Sequence, residues 1–199
     1  MRLYDNQDSG NCWKVRQLLA LLEIPYERIE VDVIDRSNRR ELLGGKNPAL
    51  RVPTLELDDG HHLAESNAIL WYFGDGTPFV PSGPLERARV LQWMFFEQYE
   101  VEPNLAVARF WIHLLGARDR YATELEGKWK AGNRALEAID ERLSEGDWLV
   151  GDAFSIADIS VYGYTHLAED GGFDLEPYPS VRAWLERVAS RPGYVPLDA

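Results

Sequence analysis

The sequence contains a single cysteine, no long hydrophobic run and no excess of basic charge. Cys12 alone cannot form an internal disulfide, which favours a reducing compartment. No stretch of about 18 apolar residues occurs, so we predict no membrane-spanning helix, and the first residues lack the apolar segment of an export signal. We therefore expect a cytoplasmic protein.

The charge balance narrows the range of partners. The chain has 21 basic and 33 acidic residues, which gives a formal net charge of -12. Such a surface repels phosphate backbones and anionic lipid headgroups, so we predict neither nucleic acid nor a membrane as a partner. A local basic pocket can still bind a small anionic ligand.

The first 75 of the 199 residues alternate between strand and helix patterns. A short apolar segment is followed by apolar residues at helical spacing over residues 15–22, and alternation over residues 26–33 predicts a second strand. After a short helix, the pair Asp59-Gly60 lies between two short alternating segments, which predicts a hairpin. A last helix begins near Ser66, which can cap it. The order is βαβ-α-ββα, typical of a small α/β domain.

The remainder of the chain has helical patterns only. Residues 74–84 contain three glycines and three prolines, so we predict a first domain at 1–75, a linker at 76–84 and an all-helical domain at 85–199. Within the second domain, Ser155 and Asp158 have the spacing of a capping box. Besides a long aromatic-rich pattern continuing to residue 115, helices are predicted at residues 121–144, 155–169 and 180–189.

Four segments, taken in order, resemble the soluble glutathione S-transferase family over essentially the whole chain. The segments are Leu3-Tyr4 with Ser9-Gly10-Asn11-Cys12-Trp13-Lys14-Val15-Arg16, then Asn47-Pro48-Ala49-Leu50-Arg51-Val52-Pro53-Thr54-Leu55, Leu63-Ala64-Glu65-Ser66-Asn67-Ala68-Ile69 and Phe154-Ser155-Ile156-Ala157-Asp158-Ile159. The resemblance implies a thioredoxin-like first domain that binds glutathione as co-substrate, and an all-helical second domain that forms the electrophile pocket. It also implies a homodimer, and it is greatest to the bacterial-type, serine-using branch.

The resemblance places the glutathione backbone at Arg51, Val52 and Pro53. If the Val52-Pro53 bond is cis, as in that family, the Val52 backbone is free to pair with an extended peptide in the manner of an added strand. Glu65 and Ser66 lie where a strand precedes a helix. The first helical N–H groups and the serine hydroxyl can hold the γ-glutamyl carboxylate there, and Glu65 can hold its ammonium. Two simpler interpretations apply if the neighbouring motifs are not considered. Pro53 is then an ordinary trans proline, and Ser66 is a helix cap that follows a solvent-exposed Glu65.

The catalytic candidates are Ser9, Asn11 and Cys12. A hydroxyl or amide N–H at a helix N-terminus stabilises a thiolate, and we predict this role for Ser9, with Asn11 in the same turn. Ser9 is alternatively a plain helix cap. Cys12 is either a reactive thiol, lowered in pKa by the helix terminus, or an inert buried residue.

We predict a transferase that adds the glutathione thiolate to small apolar electrophiles, with Tyr99 and Arg109 in contact with the substrate. No tightly bound cofactor is expected, and no metal, because the histidines and the cysteine lack ligand spacing. Two alternatives remain open. One is a glutathione-dependent disulfide or peroxide reductase that uses Cys12 or a second glutathione. The other is a non-catalytic glutathione-binding or regulatory protein.

Overall fold

The computed structural model describes residues 1–198, which form two compact units. The first unit contains residues 1–77 and residues 192–198, and the second contains residues 78–191. The C-terminal segment therefore packs with the first unit, although the predicted helical domain at 85–199 includes it. No helix of the described chain has the length and apolar character needed to cross a membrane.

The first unit is a four-stranded sheet with helices, in the order β1-α1-β2-α2-β3-β4-α3. The elements are β1 Arg2–Asp5, α1 Gly10–Leu21, β2 Glu27–Glu30, α2 Arg39–Leu43, β3 Thr54–Glu56, β4 His62–Ala64 and α3 Ser66–Gly74. The strand order across the sheet is β2-β1-β3-β4. Strand β1 pairs with β2 in parallel, which requires the α1 crossover, and the other two pairings are antiparallel. The predicted thioredoxin-like order and the hairpin are confirmed.

Neighbouring residues of β1 pack on opposite sides of the sheet, as the two-residue period of a strand requires. Leu3 lies in a buried cluster with Val15 and Leu19 of α1. Tyr4 lies in a second cluster with Leu43 of α2. Tyr4 therefore packs on the face of the sheet that is not covered by α1.

Strand β2 is shorter than the predicted 26–33, because an aspartate turn ends it. After Glu30, the Asp32 Oδ1 atom accepts backbone hydrogen bonds from Ile34 at 2.7 Å and from Asp35 at 2.8 Å. These bonds give the backbone an alternative to the strand ladder. The alternating pattern continues past the point where the hydrogen bonding stops.

The second unit is helical throughout, with no strand among residues 78–191. Its elements are α4 Pro84–Phe96, a π-helical stretch Glu97–Ala106, α5 Val107–Arg109, a second π-helical stretch Phe110–Leu114, α6 Ala122–Ser144, α7 Ile156–Thr165 and α8 Pro179–Ala189, with single 3₁₀ turns at Asp119–Tyr121 and Glu169–Gly171. Pro103 lies inside the first π-helical stretch. Proline has no N–H for the regular α ladder, which gives a local reason for the wider turn.

The predicted capping box at the start of α7 is confirmed. The Ser155 hydroxyl accepts from the helix backbone, and the Asp158 carboxylate accepts the Ser155 N–H at 2.9 Å. The helix ends at Thr165 rather than at residue 169, because residues 166–168 form a turn that leads into the 3₁₀ turn Glu169–Gly171. The box therefore fixes where the helix begins but not where it ends.

Candidate functional site

Ser9 is the N-cap of α1. Its backbone is extended, and its Oγ accepts the Cys12 N–H at 3.3 Å. This bond uses a lone pair of the hydroxyl oxygen, so the O–H remains able to donate. The cap predicted from the sequence is present, and it is compatible with a hydroxyl that also donates to a ligand.

Asn11 connects the start of α1 to the start of α3. Its Oδ1 accepts from Lys14 Nζ at 2.8 Å and from Ser66 Oγ at 3.1 Å. Its Nδ2 makes no hydrogen bond to any residue between 1 and 198. Two predicted site residues from separate motifs are thus brought together, and one amide donor remains available beside them.

Cys12 is fully buried, with no exposed surface. Burial raises the pKa of its thiol well above the ordinary value, and the negative charge of Asp5 raises it further. The neighbouring Ser9 side chain and the Asn6 backbone lower the pKa of the thiol without reversing the effect of burial. The thiol is protonated at neutral pH, so the structure favours the inert alternative over the reactive one.

The segment before β3 has the backbone form that the resemblance implied. The Val52-Pro53 peptide bond is cis. Val52 lies outside the strands, and its backbone groups make no hydrogen bond within the part of the chain that the structure describes. The Arg51 carbonyl accepts from Asn47 Nδ2 at 3.0 Å and from Thr54 Oγ1 at 2.8 Å. Asn47 and Thr54 therefore hold this loop with the Val52 backbone left open.

Glu65 occupies the N-cap of α3 with a positive φ of 69° and a ψ of 114°. Ser66 is thus the first helical residue rather than the predicted cap. No side chain caps α3 from the Glu65 position. A non-glycine residue with positive φ is uncommon and is typical of functional segments. The N-terminus of α3 can accept an anion close to Ser66.

Several residues that shape the site were missed in the sequence. Lys14 and Asn47 bond the predicted residues directly, and Arg39 donates to the Leu50 carbonyl at 3.3 Å in the same loop. One indication of this role was the charge of Lys14, because the other residues of its helix are mostly buried. Helical spacing alone did not show that its ammonium faces inward.

The two predicted substrate contacts lie in the second unit. The Tyr99 side chain is 82% exposed. Arg109 is buried, and its Nε lies 3.1 Å from Asp170 Oδ2. The Arg109 guanidinium is therefore engaged by the second unit itself. Among residues 1–198, no three His, Cys, Asp or Glu side chains are grouped to hold a metal ion.

Comparison with known proteins identifies the family of both units. Residues 8–75 match the model of the glutathione S-transferase N-terminal domain, and residues 101–192 match that of the C-terminal domain. A disulfide-bond oxidoreductase of Escherichia coli, YfcG, is 30% identical over 189 residues, which cover 92% of this chain and 87% of that protein.

Two solved structures are similar over nearly their full length. A glutathione S-transferase from Pseudomonas fluorescens has a TM-score of 0.95 and 46% identity, with 98% of each chain covered. A sphingomonad glutathione S-transferase, solved in complex with glutathione, has a TM-score of 0.80 and 28% identity, with 98% of this chain and 95% of that chain covered. The chain therefore belongs to the glutathione S-transferase family.

Proposed function

We propose that the protein is a glutathione transferase of the serine-using branch, which binds glutathione on its first unit and holds its sulfur as a thiolate. The observation that carries this proposal is the hydrogen bond between Asn11 and Ser66. This bond joins the proposed sulfur site to the proposed carboxylate site. The same unit contains the loop before β3, in which the Val52 backbone makes no hydrogen bond to any described residue.

Glutathione is held by three groups in this proposal. The Val52 backbone pairs with the cysteinyl residue, as an added strand would, and Arg51 and Pro53 flank it. The N-terminus of α3, beginning at Ser66, binds the γ-glutamyl carboxylate, and the exposed Glu65 binds the ammonium. The bound tripeptide then extends from α3 towards the start of α1.

The thiolate is stabilised by Ser9 and Asn11. The Ser9 hydroxyl and the Asn11 amide both donate hydrogen bonds, and hydrogen bonds to a charged acceptor are about twice as strong as neutral ones. The α1 N-terminus adds the positive end of the helix dipole. Cys12 takes no part, because its thiol is buried and protonated.

The reaction is attack of the thiolate on a small apolar electrophile. The sulfur lone pair forms a bond to the electrophilic carbon, and either a leaving group departs with the electron pair or a proton is later added. Catalysis comes from stabilising the anion and positioning the two reactants. Tyr99 is the proposed substrate contact in the second unit, while Arg109 supports that unit through Asp170.

A second candidate is glutathione-dependent disulfide exchange, favoured by the similarity to the Escherichia coli oxidoreductase. The burial of Cys12 argues against it as the attacking thiol. The thiolate of bound glutathione would instead attack the substrate disulfide and release one thiol. A second glutathione would then release the other and leave glutathione disulfide.

The test measures glutathione binding by calorimetry, the pKa of the bound thiol by ultraviolet absorbance, and turnover of a chlorinated dinitrobenzene and of a small aliphatic disulfide. Ser9→Ala and Asn11→Ala should each raise the bound thiol pKa and lower turnover about tenfold or more, since a hydrogen bond to a charged group contributes ~1.5–3 kcal/mol. Ser9→Thr, which retains the hydroxyl, and Cys12→Ala should keep most activity. Loss of activity in Cys12→Ala alone contradicts the proposal, as does a bound thiol with an unshifted pKa.

Three further properties complete the proposal. The family suggests a homodimer, and the single cysteine suggests a cytoplasmic location. The functional domains are residues 1–75 and 85–199 with a linker at 76–84, except that residues 192–198 pack with the first unit. Sedimentation of the purified protein tests the dimer.

A further inference from the structure

Lys14 is a fully buried lysine in the first turns of α1. Its side chain has no exposed surface, and its Nζ lies 2.8 Å from Asn11 Oδ1. A buried ammonium needs polar partners, and the Asn11 carbonyl oxygen is one of them. Lys14 has no part in the binding scheme above.

The contact fixes the orientation of the Asn11 amide. A lysine ammonium only donates, so the Asn11 atom facing it is the carbonyl oxygen. Ser66 Oγ approaches the same oxygen at 3.1 Å. With two donors on Oδ1, a flipped amide would place its NH₂ group against the Lys14 ammonium. The Nδ2 donor therefore points away from both.

We propose that Lys14 is a positioning residue, whose buried ammonium holds Asn11 Oδ1 so that the Asn11 amide N–H is directed at the glutathione sulfur. This inference rests on the proposed function, since it needs a glutathione thiolate beside Asn11. Lys14 does not touch the ligand. It acts by removing the alternative amide orientations, in which the carbonyl oxygen would face the anion.

The test compares how wild type and Lys14→Met bind two ligands, S-methylglutathione and glutathione. S-methylglutathione has no ionisable thiol, so its dissociation constant reports only whether the site is formed. Glutathione reports the thiolate through the ultraviolet titration of its bound thiol. We expect S-methylglutathione affinity within about threefold of wild type, and a bound thiol pKa raised by about one unit, which corresponds to tenfold in the ionisation constant. Lys14→Gln, which keeps a donor group, should show a smaller rise and serves if Lys14→Met folds poorly.

A double-mutant cycle separates positioning from a direct effect of charge. In an Asn11→Ala background, Lys14→Met should leave the bound thiol pKa unchanged, because there is no amide left to orient. A further rise in that background overturns the inference in favour of direct charge stabilisation. Equal loss of S-methylglutathione affinity in the two Lys14 variants overturns the inference in favour of a structural role. An unchanged pKa of the bound thiol in both variants also overturns the inference. If wild type itself binds glutathione without lowering its thiol pKa, the proposed function fails instead.

Discussion

Arg16 Nη1 lies 2.7 Å from Asp5 Oδ1, and both side chains are buried. The same guanidinium donates to the Gln7 carbonyl at 3.3 Å and to the Leu197 carbonyl at 2.6 Å. Arg16 therefore connects β1, the loop before α1 and the C-terminal segment. The loop that leads to Ser9 is thus fixed by a buried charge pair.

Replacing Arg16 by Met should destabilise the protein by about 1.5–3 kcal/mol, because the buried Asp5 carboxylate loses one of its two guanidinium partners and keeps Arg28, whose Nε lies 2.6 Å from Asp5 Oδ2. Urea unfolding measures the change. The exposed pair of Arg2 and Glu27 is the matched control, and Arg2→Met should have a far smaller effect. Similar losses in the two variants would contradict the role given to burial.

The C-terminal segment is held on α1 by Gln17. Its Nε2 donates to the Gly193 carbonyl at 2.9 Å, and its Oε1 accepts the Val195 N–H at 2.8 Å. Gln17→Leu should lower stability by about 2 kcal/mol and speed amide exchange at Val195, since each lost bond contributes ~0.5–1.5 kcal/mol. Gln92→Leu, at an exposed position of α4, is the control. Unchanged exchange at Val195 would show that the segment is held by other contacts.

Asp158 should be essential for the stability of the second unit. Its buried carboxylate accepts from the Leu149 N–H, the Ser155 N–H and the Trp184 indole. Asp158→Ala leaves these buried donors unpaired at ~1–3 kcal/mol each, so we expect a loss of at least about 3 kcal/mol by urea unfolding. A loss near 1 kcal/mol would indicate that only the helix cap matters.

Burial also raises the pKa of Asp158 to about 6, against the opposing effect of its hydrogen bonds. The folded state therefore binds a proton between about pH 4 and pH 6 where the unfolded state does not, so the contribution of this group to stability falls as pH rises through that range. The free energy of unfolding of wild type minus that of Asp158→Asn, measured in urea from pH 4 to 7, should decrease as pH rises. A difference that rises with pH would mean that the hydrogen bonds outweigh burial.

Cys12 should resist thiol reagents in the folded protein. Its buried, protonated thiol reacts only when the structure opens, so the rate of modification by an aromatic disulfide reagent should match the rate set by unfolding. Full reaction should follow the addition of denaturant. Rapid modification of the native protein would restore Cys12 as a catalytic candidate.

Tyr4 carries a hydroxyl five residues before Ser9 in the chain, so it offers a test of which hydroxyl donates to the glutathione sulfur. Its hydroxyl donates to Glu56 Oε2 at 2.8 Å, and burial together with this bond raises its pKa to about 12. Tyr4→Phe should leave the pKa of bound glutathione and the rate of conjugation within about twofold of wild type, at a stability cost of about 1 kcal/mol. A large rise in the bound thiol pKa would mean that Tyr4, rather than Ser9, donates the hydrogen bond to the glutathione sulfur.

Much of the fold was predictable from local sequence. The strand and helix order of the first unit, the Asp59-Gly60 hairpin and the capping box of Ser155 and Asp158 all follow from interactions between residues close in the chain. These interactions join residues at fixed separations along the chain, so the sequence pattern predicts them. The cis bond before Pro53 was expected from the resemblance rather than from its spacing.

The tertiary structure decided which charged and reactive groups are buried. Lys14, Arg16 and Cys12 lie on one helix, and the sequence does not show that all three are enclosed. Their enclosure depends on contacts with distant segments, such as the bond from Arg16 to Leu197, 181 positions away. Helical periodicity assigns a residue to a face of its own helix, but only the packed chain determines what covers that face. Burial then sets the protonation of Cys12 and the orientation of Asn11.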